Sequence, residues 1–139
     1  MKKFLLILTL ALFAGFAARS QEDDNDKIRD KMREFIQRRL NLSKNEAERF
    51  TPVFIRYFRE WRQTLRENKD DGLVRQQKIV DLRLRYRTEF REIVGEKRSN
   101  EVYKQQDIFV QEITKIKREQ IKARKDDRPT IRNRSYLIE

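Results

Sequence analysis

Apolar residues recur along most of this chain at steps of three and four, the spacing that gathers side chains on one face of an α-helix. Ile28, Met32, Phe35, Ile36 and Leu40 form one such set and predict a first helix from about Asp24 to Leu40. Asp23, Asp24 and Asp26 crowd its start, where negative charge suits the helix dipole. Asn41 and Leu42 interrupt the pattern. Ala47, Phe50, Phe54, Tyr57, Phe58, Trp61 and Leu65 make the second set, confined to about 100° of arc, and aromatic residues so spaced read first as core. Ser43-Lys44-Asn45-Glu46 opens this helix with the form of a capping box, hydroxyl and carboxylate each reaching a backbone N–H of the other residue. Leu42 and Ala47 stand at the two positions of a hydrophobic staple. Pro52 removes one backbone donor in the third turn and predicts a bend.

Asn68-Lys69-Asp70-Asp71-Gly72 reads as a polar turn. A third helix is predicted from about Leu73 to Val94, with apolar positions spread over roughly 200°, too wide for one partner. Such a helix is either central or offers a second face to another chain. Gly95 breaks the pattern, and a fourth helix follows from about Glu96 to Arg124. Val102, Phe109, Ile113 and Ile116 form its seam, with Tyr103, Val110 and Ile121 beside it. From Lys125 the periodicity stops and Pro129 blocks continuation, so residues 125–139 are expected to be a flexible basic tail. Within it, Tyr136-Leu137-Ile138 either docks on a partner or stays unstructured. No strand is needed, and the fold class is all-α.

The first twenty residues are of another kind. Lys2 and Lys3 precede an apolar run from Phe4 to Ala18, and Ala18-Arg19-Ser20 places small residues three and one positions before Gln21. This is the layout of a secretory signal peptide cleaved after Ser20. The run of 15 is short for a bilayer span, which needs about 20 residues. No Cys follows it, which excludes a lipid-anchored lipoprotein. The expected organisation is a signal peptide over 1–20, one domain over 21–124 and the tail, in a protein exported to a bacterial periplasm.

Composition narrows the chemistry. There are 34 Lys+Arg against 23 Asp+Glu, no His and no Cys, with three Gly and two Pro. Zinc, copper and haem lose their usual nitrogen and sulfur ligands, and no imidazole or thiolate is available for proton transfer or attack. The expectation is a non-enzyme with no cofactor and no metal. Asp70–Asp71 and Asp126–Asp127 read as solubilising residues rather than a catalytic pair. Cleavage at Ser20 removes Lys2, Lys3 and Arg19 and lowers the net charge from +11 to +8. An excess of this size suits nucleic acid. Export and the interleaving of acids with bases argue against that partner. A solvated face laced with ion pairs, or a basic surface contacting anionic membrane or acidic proteins, are the other readings.

The segment Leu40 to Phe50, then Pro52-Val53-Phe54 and Tyr57, resembles the first repeat motif of the Spy/CpxP-like periplasmic proteins, written Leu-Thr-x-x-Gln. Leu42 matches, Ser43 stands for the Thr and Glu46 for the Gln, and both replacements keep the capping chemistry. The second copy would be Val94-Gly95-Glu96-Lys97-Arg98, which keeps only an apolar first residue. The likeness is closer to short exported proteins of Bacteroidetes-type bacteria labelled sensors of an extracytoplasmic-function (ECF) sigma factor. Leu42, Ser43, Glu46, Phe50, Pro52, Phe54 and Tyr57 carry it, and it covers roughly residues 27–120.

The resemblance implies four long helices in an elongated, hairpin-like cradle, with a homodimer expected. It implies ATP-independent holding of partially unfolded envelope proteins or, alternatively, regulation through one partner in a sigma-factor pathway. Relatives that sense metals use His, Cys or Met; only Met32 remains here after cleavage. A thin, two-layer cradle leaves some apolar groups facing its concave side or a dimer partner. Ile55, Ile79 and Ile108 lie off the main stripes and are candidates for that contact. Arg56, Arg59, Arg62 and Arg66 are the basic candidates, the last three sharing one helix flank.

Overall fold

The computed structural model of the protein describes residues 23–126. The expected signal segment 1–20 and the tail from residue 127, with Tyr136-Leu137-Ile138, lie outside the described residues. Among the described residues the chain is all-α and has no strand: α1 over residues 23–39, α2 over Lys44–Glu67, α3 over Gly72–Val94 and α4 over Glu96–Asp126. The last helix thus passes the Arg124 at which the apolar spacing fades.

Local chemistry accounts for each corner. Asn41 takes a left-handed conformation at φ 50°, which its short polar side chain tolerates. Leu42 N–H then donates to Gln37 O at 3.0 Å and Asn41 N–H to Arg38 O at 3.1 Å, the paired bonds of a Schellman cap that ends α1. The capping box forms in full: Ser43 Oγ accepts the Glu46 N–H at 3.2 Å and the Glu46 carboxylate accepts the Ser43 N–H at 2.9 Å. α2 continues through Pro52, which is exposed. Asp71, read above as solubilising, caps α3 by accepting the Leu73 and Val74 N–H groups at 3.0 Å each. Gly95 turns the chain from α3 into α4 at φ +86° and ψ 166°, a region nearly closed to residues with a Cβ.

The helices close in a ring. Gln37 reaches Thr51 while Arg62 reaches Asn25, so α1 and α2 run antiparallel. α3 lies between α2 and α4, with Arg56 pairing with Glu89 on one side and Arg83 with Asp107 on the other. The Phe35 and Phe109 rings, 5.5 Å apart, and the Arg39–Gln105 hydrogen bond of 3.1 Å bring α4 back onto α1. All four helices contribute side chains to one core. Tyr57 is fully buried, and its ring lies 5.4 Å from Tyr86, 5.9 Å from Phe90 and 5.6 Å from Tyr103. The stripe Phe50, Phe54, Tyr57, Phe58 and Trp61 is core, as its spacing predicts.

A polar thread crosses the apolar interior. Tyr57 O–H donates to Gln106 Oε1 at 2.5 Å, Arg83 donates to the same oxygen at 3.3 Å, and Tyr103 O–H donates to Arg83 O at 2.7 Å. Burial pushes the Tyr57 hydroxyl up to about 12 and raises Tyr103 as well. At one end of the molecule the two helix corners meet. Arg98 grips the Glu46 carboxylate through both terminal nitrogens while its Nε donates to Val94 O at 2.8 Å. No helix among the described residues is long and apolar enough to cross a membrane.

Candidate functional site

The seven side chains singled out for partner contact divide in the structure. Ile55, Arg59, Arg62 and Arg66 line one cavity of about 360 Å³ between α1 and α2. Their spacing of four, three and four residues puts them on one flank of α2, and the first turns of α1 supply the opposite wall: Asn25, Asp26 and Arg29. Phe58, almost wholly buried, closes the floor beside Ile55.

Arg56 is not part of this group. It points to α3, where its guanidinium meets Glu89 at 2.5 Å. Ile79 packs at the edge of the core and Ile108 is half-buried on α4; neither lines the cavity. Of the three isoleucines, Ile55 alone lines this cavity.

The charges at the cavity are unevenly matched. Arg29 is held by Asp26 at 2.7 Å and by Asp30 at 3.1 Å, which neutralises the wall on α1. Among the described residues neither Arg59 nor Arg66 has a carboxylate within ion-pair distance. Arg62 donates to the neutral Asn25 Oδ1 at 2.6 Å, and its buried Nε has no acceptor. A buried donor left open in this way costs free energy unless something accepts from it. By contrast Arg83, Arg85, Arg91 and Arg98 each meet an acid on another turn or helix. The cavity is thus a local excess of three guanidinium groups over an apolar floor.

A second surface carries the apolar excess. Leu73 is 80% exposed and Val80 and Leu84 are each 53% exposed, along one side of α3. Val80 and Leu84 border the groove toward α4, with Arg83, Arg87, Asn100 and Tyr103. Beyond residue 110, α4 outruns its neighbours, and Ile116 and Ile121 are about half exposed. These residues were not among the contact candidates. The wide angular spread of apolar positions on α3 was the signal that could have found them.

No family model, no curated protein and no solved structure matches the chain. Among the described residues no group of three or more acids gathers in a way that would hold a metal ion.

Proposed function

We propose that this is a non-enzymatic protein of the bacterial periplasm that holds partially unfolded envelope proteins without ATP. The observation that carries the reading is the row of Arg59, Arg62 and Arg66, without acidic partners among the described residues, beside the apolar Ile55 and Phe58. Charge draws an acidic chain in from a distance, which raises the encounter rate and fades with salt. Exposed apolar side chains, Leu73, Val80 and Leu84 among them, then give weak contact to whatever the client has failed to bury. The resemblance to Spy/CpxP-like proteins points the same way. The ion pair Glu46–Arg98 adds to it, since it joins the last positions of the two motif segments Leu42–Glu46 and Val94–Arg98. On this reading the bundle belongs to an elongated, cradle-shaped homodimer, with α3 as its two-faced helix.

A second role, as regulator of a single partner in an ECF sigma-factor pathway, draws on the small size of the cavity, about 360 Å³, which suits one defined segment better than many. Light scattering of an unrelated client during unfolding, at low and at high salt, separates the two. Suppression near equal molar ratio that weakens as salt rises is the expected result. No suppression at several-fold excess removes the general holding role and leaves the single partner to be captured.

A further inference from the structure

The cavity between α1 and α2 has more structure than a generic basic surface. Arg62 is pre-positioned, since Asn25 fixes one end of its guanidinium and leaves the buried Nε without an acceptor. Arg59 and Arg66 flank it one turn away on either side, exposed and, among the described residues, without a carboxylate in ion-pair distance. Below them the lining is apolar, with Ile55 half-buried and Phe58 at 4% exposure. A planar guanidinium fork matches a carboxylate in a way an ammonium group does not. The floor, in turn, gains from an apolar side chain and nothing from a charged one.

We infer that the cavity selects client segments in which an Asp or Glu stands beside a large apolar residue, the carboxylate taken by Arg59, Arg62 and Arg66 and the apolar side chain seated on Ile55 and Phe58. This deepens, and rests on, the client-holding reading above. A volume of about 360 Å³ admits a pair of side chains and excludes a folded surface. A recess between two helices is also a poor match to a flat bilayer, which a projecting basic face would serve better. The carboxylate and its apolar neighbour are read together, so neither property alone suffices.

Fluorescence anisotropy of labelled peptides with the purified protein tests this. A peptide of about ten residues alternating Glu and Leu is compared with its Gln/Leu and Glu/Ser analogues. The Glu/Leu peptide is expected to bind at least about tenfold more tightly than either, the scale of one lost charge-assisted contact. Arg59→Gln combined with Arg66→Gln, both exposed and so compatible with folding, is expected to erase that preference. Arg85→Gln, on α3 and outside the cavity lining, is expected to preserve it.

Equal binding of the Gln/Leu peptide overturns the inference, as does a preference that survives the double Arg variant. Displacement of the peptide by vesicles containing phosphatidylglycerol, lost in the same variant, overturns it in favour of a membrane site. Loss of peptide selectivity with client suppression intact removes only this inference. Selective peptide binding without client suppression removes the holding role and leaves the site.

Discussion

Tyr57 is the residue on which most of the interior converges. Its ring contacts aromatic groups from α3 and α4 and its hydroxyl anchors the polar thread to Gln106. Tyr57→Phe removes that donor while leaving Arg83 on the same Gln106 oxygen, so a loss of about 1 kcal/mol is expected in urea unfolding. The hydroxyl also sets an alkaline limit. Burial raises its pKa from an ordinary 10 to about 12, so the protonated form is favoured in the fold. The resulting stability is complete below about pH 10 and is lost as pH rises toward 12. Circular dichroism and tyrosinate absorbance should therefore change together in that window, with Tyr86 contributing through burial and its bond to Glu60. Gly95 makes a different kind of demand. A Cβ there meets no atom within 4 Å, so the expected cost of Gly95→Ala, about 1–3 kcal/mol, comes from φ +86° alone.

At the scale of the element, the turn from α1 into α2 was the most legible part of the chain. The Ser43–Glu46 box depends on residues within one turn of each other, and it forms as its spacing predicts. Ser43→Ala should cost about 1 kcal/mol. Glu46 does two jobs, since Arg98 and then the Ser43 N–H hold its carboxyl below the ordinary range. A carboxyl so lowered stabilises the fold above its unfolded pKa of about 4.5 and loses that contribution as pH falls through the lower folded value. Glu46→Gln should flatten this acid dependence in a thermal melt series below that pH. Other elements were read less well. The apolar seam of α4 predicts burial as far as Ile116, yet packing against the core stops at Ile113. Periodicity reports which face is apolar, and the length of the neighbouring helices decides how much of it is covered.

The whole molecule joins two unlike surfaces, an Arg-lined cavity between α1 and α2 and an apolar edge along α3. Substitutions on the edge separate the proposed holding role from folding. Val80→Ser with Leu84→Ser should leave stability within about 0.5 kcal/mol, because both side chains are already half in water. If that edge contacts clients, the pair should still weaken client suppression in light scattering, and unchanged suppression would confine the contact to the cavity. The cavity itself was half legible. The flank shared by Arg59, Arg62 and Arg66 follows from spacing within α2, whereas Asn25, Asp26 and Arg29 come to it from another helix.

What the sequence determined by itself was local. Helix positions, the capping box and the buried stripe of α2 all follow from interactions within three or four residues, where helical geometry sets the distances in advance. Which charges stay unpaired was decided only by the tertiary structure. Arg56 and Arg59 stand three positions apart on the same helix with the same chemistry. One meets Glu89, 33 residues along the chain, and the other meets no acid among the described residues, because helix rotation turns the first toward α3 and the second toward α1. That offset of about 60° around the helix axis separates a neutralised surface charge from a wall of the candidate site.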